Sequence, residues 1–198
     1  GDPSATESIV PFLDSKQVAL QTAAARALGG TGDRATVTVL LERLDHEEQN
    51  VRNAARESVM RLQGEAVDAE LIAALEEGTM DSVSLVNILA ARGTRSALPV
   101  LREISRRSTG DLRKASIKAL GSLSSVEELP ALVALLSDPA MQEERKSVES
   151  AILGAFREIS NPEDRATPVL AAYEEAPDSV KPALINLLGR AGSDDGLR

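Results

Sequence analysis

Few residues in this 198-residue chain have the type and spacing that chemistry requires. The one histidine, His46, lies in the acidic run Asp45-His46-Glu47-Glu48. A metal site needs a second imidazole or a defined carboxylate set. Neither is visible, so His46 reads as a solvated turn residue. Gly29-Gly30-Thr31-Gly32 has the small residues of a phosphate-cradling loop. However, it follows a helical pattern rather than a strand, and no Gly-Lys-Ser/Thr accompanies it. Gly121-Ser122-Leu123-Ser124-Ser125 lacks the Gly-x-Ser-x-Gly spacing of a nucleophile elbow, and a Ser-His-Asp triad would have to recruit His46 from an exposed turn. Adjacent carboxylates occur at Glu76-Glu77, Glu174-Glu175 and Asp194-Asp195. Acid–base pairs work across a cleft, and these neighbours read as solvated surface. Arg106-Arg107 has the charge of an anion site, but two cations also suit a helix C-terminus, which is the better account. With no cysteine there is no disulfide, thiolate metal site or Cys nucleophile. No catalytic, cofactor-binding or metal-ligating residue is assigned, and the chain is expected not to be an enzyme.

The elements that carry these residues follow from composition and periodicity. Apolar residues make up 42% of the chain and aromatic ones 2%, with Ala and Leu dominant and Trp absent. Ala and Leu favour helices, and Ala lets helices approach closely. Strands would call for β-branched and aromatic residues, so an all-α fold is expected. The net charge is −9, from 22 basic and 31 acidic residues. That balance opposes nucleic-acid binding, which needs a basic stripe. No apolar run approaches the length of a membrane span, so membrane insertion is not expected. The compartment is left undetermined, because Gly1 has the look of a cloning remnant behind which a targeting segment could have been removed.

One pattern recurs six times: an apolar residue, a small pair, a large apolar residue, then Gly or Ser four positions on. Its clearest copy runs from Leu20 to Asp33, and others lead to Leu120 and Leu188. The closing markers are Gly32, Gly64, Gly93, Ser124, Ser160 and Gly192, spaced by 32, 29, 31, 36 and 32 residues. Four residues before them stand Leu28, Met60, Leu89, Leu120, Phe156 and Leu188, all large and apolar. Shorter amphipathic stretches lie between the copies: Val37–Leu44, Leu71–Leu75, Leu98–Ile104, Leu129–Leu136 and Pro168–Tyr173. Pro99, Pro130 and Pro168 are placed near helix starts, and Ser179 is a candidate cap for the last long helix. Each unit therefore reads as helix A, a turn, helix B and a Gly-marked turn. The expected repeats are 7–32, 33–64, 65–93, 94–124, 125–160 and 161–192, with a tail at 193–198, as a single array. One hairpin cannot cover both its faces, and stacking buries a continuous core.

The string apolar-Arg-x-Ala-Ala…Ala-Leu-Gly-x-x-Gly-Asp resembles the HEAT-repeat family, especially the short bacterial repeats named after phycobilin lyases, from about Glu7 to Asp194. The resemblance implies an α-α superhelix: a right-handed solenoid of about six hairpins with the B helices lining a concave side. It also implies a ladder between an Asp in the A–B turn and a basic residue early in helix B. Asp45 with Arg52 fits, and Arg113 and Lys181 occupy the basic position. Gln21, Ser82 and Glu149 depart from it, so the ladder is expected to break in repeats 1, 3 and 5. The tail reads as the start of a further helix A. Val180, Leu184 and Leu188 are expected to lack a cover, so the chain is expected to be a piece of a longer protein or to self-associate through this end.

Seven residues before each marker, helix B carries Ala25, Glu57, Val86, Ile117, Leu153 and Ile185; the neighbouring column is Arg26, Ser58, Asn87, Lys118, Gly154 and Asn186. Two accounts stay open for the first column, packing between repeats or an apolar groove. The groove would comprise Ile117, Leu153 and Ile185, fringed by Asn87, Lys114, Lys118 and Asn186 and extended by Arg52, Asn53 and Arg56. Such a surface suits a protein partner, or another domain of the same protein. The function expected is a non-catalytic protein-interaction scaffold without cofactor. The alternative is a chromophore-handling enzyme like the phycobilin lyases, although aromatic residues for a tetrapyrrole are nearly absent. Nucleic-acid binding, as in HEAT-like DNA glycosylases, is disfavoured by the charge and the missing Trp.

Overall fold

The computed structural model describes residues 3–30, 34–78 and 81–192. The marker Gly32, its neighbours Thr31 and Asp33, and the tail 193–198 lie outside the described residues. No strand occurs among the described residues, which form twelve α-helices arranged as six antiparallel hairpins. The chain divides into two compact units, Gly1–Arg92 and Gly93–Arg198.

In the first unit the hairpins are α1 (Pro3–Ile9) with a 3-10 extension at Val10–Asp14 and α2 (Val18–Leu28), then α3 (Arg34–Leu41) and α4 (Gln49–Arg61), then α5 (Glu65–Glu77) and α6 (Ser82–Arg92). Gly64, at φ 108°, and Gly93, at φ 72°, follow the second and third B helices and take backbone conformations that L side chains resist. The second unit pairs α7 (Leu98–Arg107) with α8 (Gly110–Leu123), α9 (Leu129–Ala134) with α10 (Arg145–Glu158), and α11 (Pro162–Glu175) with α12 (Lys181–Ala191).

Helix starts use several devices. Asn161 Oδ1 accepts from Glu163 N at 3.1 Å, and Asp138 Oδ1 from Ala140 N at 3.0 Å. Ahead of α9, Glu128 accepts from both the Ser125 hydroxyl and, at 2.8 Å, the Ser125 amide, which corresponds to the Glu-to-amide half of a capping box. These hydrogen bonds hold the Glu128 carboxyl below its ordinary value of 4.5, the side-chain bond first, with a smaller contribution from Arg95. Two sequence expectations fail here. Pro168 lies inside α11 rather than at its start, and Ser179 does not cap α12, whose N-cap is Val180. The Ser179 carbonyl instead accepts from Arg145 Nη1 at 3.0 Å.

Within each unit, hairpins join at positions roughly one repeat apart. Arg43 Nη2 meets Asp14 Oδ1 at 2.7 Å, and Arg106 Nε meets Asp138 Oδ2 at 2.9 Å. Arg61 Nη2 donates to Arg26 O at 3.0 Å. Arg92 ends α6 and reaches back to α4: its Nη1 donates to Val59 O at 2.9 Å and to Leu62 O, while Nε pairs with Asp68 at 2.8 Å. These guanidinium groups satisfy carbonyls that helix C-termini leave without donors.

The expected ladder exists in altered form. Arg52 donates to the carbonyls of His46 and, at 2.7 Å, Glu47, not to Asp45. Arg113 Nη1 and Nη2 reach Ala140 O at 2.8 Å and Arg106 O at 3.3 Å. Gln21, expected to break the ladder, keeps the contact by donating Nε2 to Ser15 O at 2.8 Å, six residues back as in Arg52 to His46. In the fifth repeat Arg145, not residue 149, supplies the cation. In the sixth repeat Lys181 Nζ pairs with the turn residue Asp178 at 2.9 Å, as the resemblance implied, whereas Arg52, Arg113, Gln21 and Arg145 reach backbone carbonyls, which any donor of adequate length can do.

Each core is built from both helix layers. Phe156, Leu120, Ile152 and Leu184 are buried in the second unit, and Leu28, Leu40, Val59 and Leu89 in the first. Among the B helices, α8 packs closely on α10 and α2 on α4. A Cβ on Gly121 in α8 would lie 2.6 Å from Ala151 O in α10, and one on Gly29 would lie 2.7 Å from Ser58 Cβ after α2. These two glycines let helix axes approach.

Candidate functional site

The B-helix columns fall differently from the sequence reading. The inward positions are Ala25, Ala55, Val86, Ile117, Ile152 and Leu184, each fully buried. Counting back from the Gly and Ser markers reaches this face in repeats 1, 3 and 4 but lands on other positions in the remaining three. The markers keep no fixed register to the helix faces: α8 and α12 each end one residue before their markers, yet the count lands on buried Ile117 in one and on exposed Ile185 in the other. For the same reason Met60 is 42% exposed while Val59 fills its expected place. Ile117 is thus a core residue and offers no surface. Of the three residues expected to lack a cover, Val180 and Leu184 are buried and Leu188 is half-buried.

The surface column lies one residue further on: Arg26, Arg56, Asn87, Lys118, Leu153 and Ile185. Arg56 is committed within the first unit, donating to Ser84 Oγ at 2.9 Å, and Arg52 is committed to its turn carbonyls. Asn53 and Asn87 are exposed.

In the second unit the structure gathers the other candidates along two clefts. Between α8 and α10 lies an open cleft of about 610 Å³. Its floor is made by Gly121, Ala151 and Gly154, and its walls by Lys114, Lys118, Ser122, Ser147, Ser150, Arg157 and Glu158. The floor exists because no large side chain fits where α8 and α10 meet at Gly121. Between α10 and α12 a second cleft, of about 450 Å³, is lined by Glu149, Leu153, Ile185, Asn186, Leu187, Gly189 and Arg190. Leu153 is half-buried there, and Ile185 is 54% exposed. Lys114 and Lys118 therefore belong to one cleft, and Leu153, Ile185 and Asn186 to the next.

Sequence reasoning missed Arg157 and the three serines. For Ser147, Ser150 and Arg157 the signal was the spacing 147, 150, 154, 157 on α10, and for Ser122 the spacing 114, 118, 122 on α8, each of which places its residues on one helix face.

Basic residues are concentrated on the B helices. The six B helices hold 13 basic and 4 acidic residues. Out of totals of 22 and 31, the rest of the chain keeps 9 basic and 27 acidic. Many B-helix cations are tied to carbonyls, as above. Lys114, Lys118, Lys146 and Arg157 are exposed and have no hydrogen bond or ion pair among the described residues. On the opposite layer a cleft of about 550 Å³ between α9 and α11 is lined by Val126, Pro130 and Pro168 with Asp164 and Glu175 at its edge.

The other chemical candidates have structural roles. His46 Nδ1 accepts from Glu48 N at 3.1 Å, closing its own turn. Arg106 is held by Asp138 of the next hairpin, so helix-end electrostatics is not its main role. No cluster of three or more His, Cys, Asp or Glu that could hold a metal occurs among the described residues. No helix among them is long and apolar enough to cross a membrane.

Antiparallel hairpins cross-linked at repeat-spaced positions define an all-α protein of the α-α superhelix class. The chain belongs to the HEAT-repeat family, whose model, described as HEAT repeats, matches residues 6–85 and 82–153. Among curated proteins, none matches in sequence. Two solved structures are similar to it. One is the complex of CpcE and CpcF of phycocyanin lyase from Nostoc sp. PCC7120, at 19% identity and a TM-score of 0.40, covering 100% of this chain and 84% of that one. The other is an engineered protein, at 18% identity and a TM-score of 0.45, covering 96% and 97%.

Proposed function

We propose that this protein is a non-catalytic interaction scaffold, a single array of repeats that holds a protein partner on the B-helix face of its second unit. The observation that carries this is the pair of adjoining clefts on α8, α10 and α12. One is edged by lysines and an arginine with no partner among the described residues, the other by exposed Ile185 and half-buried Leu153. Protein interfaces combine an apolar centre with a polar, charged rim. His46 closes its own turn, and the carboxylates lining the two clefts are exposed Glu158 and half-buried Glu149, neither of them beside a histidine.

Photo-crosslinking tests the assignment. A photoreactive phenylalanine analogue at residue 153 or 185 should capture a defined protein in a lysate of the source cells, and the same analogue at Leu170 on α11 should not. The captured protein, once purified, should compete with its own crosslink. Capture from residue 170 alone would place the interface on the other layer and reject this one.

An enzymatic role like that of the phycocyanin lyase complex would require a tetrapyrrole site. Phe156 is buried, and Phe12 and Tyr173 lie on A-layer elements, so the B-helix face has no exposed aromatic surface for one. Incubation with a bilin should leave its absorbance spectrum unchanged; a shifted or covalently retained band would restore the enzyme reading.

A further inference from the structure

We infer that the α8–α10 cleft recognises carboxylates, and that the partner docks through an acidic segment whose apolar side chain seats in the adjoining α10–α12 cleft. The inference rests on the B-helix face being the partner surface. It commits to the chemistry of the occupant.

Charge complementarity supplies the first ground. Lys114 and Lys118 stand one turn apart on α8 and face Arg157 on α10 across a floor without large side chains. Arg157 is a fork donor suited to carboxylates. The hydroxyls of Ser122, Ser147 and Ser150 supply further donors along the same walls. A single acid, Glu158, opposes this set. Because these cations have no internal partner, an incoming carboxylate breaks no existing ion pair.

The neighbouring cleft decides between classes of anion. Ile185 and Leu153 lie beside the basic cleft, so the occupant must offer anionic and aliphatic groups within a short span. An acidic peptide does this with alternating side chains. A phosphate backbone has no aliphatic group to offer, and it would meet repulsion from the 27 acidic residues outside the B helices. Sequence-tolerant binding of single strands also uses exposed aromatic platforms, which this face lacks. Long-range repulsion by the acidic remainder acts on an acidic peptide too. It therefore restricts binding to segments that place their charge within the cleft.

The test uses a fluorescein-labelled peptide of alternating Glu and Leu, with Lys/Leu and Glu/Ser peptides as comparisons, read by fluorescence anisotropy. The Glu/Leu peptide should bind most tightly and weaken as salt is raised. The double variant Lys114→Glu/Lys118→Glu should lose about tenfold or more in affinity, and Lys114→Arg/Lys118→Arg should retain it. Ile185→Asp should weaken Glu/Leu binding and leave the weaker Glu/Ser binding in place. All these positions are exposed, and circular dichroism checks that each variant stays folded. No binding of the Glu/Leu peptide, equal binding to the charge-reversed variant, or stronger binding of the Lys/Leu peptide would overturn the inference. So would a labelled oligothymidylate that binds at these lysines in preference to the peptide. If crosslinks from residues 153 and 185 persist while charge reversal has no effect, the partner face stands and the carboxylate assignment fails. If those crosslinks are absent, the face itself is wrong.

Discussion

Gly121 and Gly154 are two glycines in adjacent helices with opposite structural demands. Gly121 is where α8 meets α10, and an added Cβ there would sit 2.6 Å from the Ala151 carbonyl oxygen. Gly121→Ala must therefore push the helices apart, and it should lower unfolding free energy by about 1–3 kcal/mol in urea or thermal melts. Gly154 lies in the interior of α10, and an added Cβ meets nothing within 4 Å. Gly154→Ala should raise stability by about 0.5–1 kcal/mol, because only the backbone entropy of glycine is removed. A destabilising Gly154→Ala, or a neutral Gly121→Ala, would contradict the packing described. Arg165 makes a third case. It is 1% exposed, and its Nε and Nη1 have no hydrogen-bond partner. A buried cation in that state costs more than it contributes, so Arg165→Met should stabilise the protein by about 1 kcal/mol.

Elements are held by donors reaching the ends of neighbouring helices. Arg92 is the most heavily used, with a side chain only 8% exposed, pairing with Asp68 and satisfying carbonyls at the end of α4. Arg92→Met should cost about 3 kcal/mol, and Asp68→Asn should cost less once Arg92 is gone, as a double-mutant cycle would show. Ahead of α9, the bonded pair of Ser125 and Glu128 makes stability depend on pH. The folded Glu128 carboxyl titrates below its ordinary value of 4.5. Its contribution is thus complete above that value and is lost as pH falls through the lower, folded value. The stability difference between the native protein and Glu128→Gln should persist at neutral pH and vanish in acid. A difference that stayed constant on acidification would show that the Ser125 bonds do not favour the charged form.

At the scale of the whole molecule, the net charge conceals an uneven distribution between the B helices and the remaining residues. Thirteen of the 22 basic residues lie on B helices, and 27 of the 31 acidic ones lie elsewhere. If the B-helix face is the partner surface, as proposed, this distribution predicts salt-sensitive binding despite the overall negative charge. Its sign should follow the B-helix face, with binding weakening as ionic strength rises. The net value of −9 alone would suggest a preference for basic partners. The affinity of the native partner for the purified chain at low and high salt, compared with the Lys114→Glu/Lys118→Glu variant, separates the two expectations.

Much of this was determined by sequence alone. The six-fold recurrence of small and large apolar residues, with glycine or serine at the turns, leaves the chain no other way to cover its apolar faces than helix hairpins packed in series. Those signals are local, set by helix period and turn chemistry, so they survive without coordinates. The facing of each side chain is not local. Ile117 and Ile185 occupied one column when counted from the turn markers, yet Ile117 is buried and Ile185 is 54% exposed. A register difference of one residue turns a position by about 100° around the helix, enough to move it from core to surface. Gln21 kept a ladder contact its identity argued against, because the acceptor is a backbone carbonyl that any donor of sufficient length can reach. The clefts likewise required packing: a glycine in α8 and an alanine in α10 form a floor only after tertiary contacts bring two helices, distant in sequence, side by side.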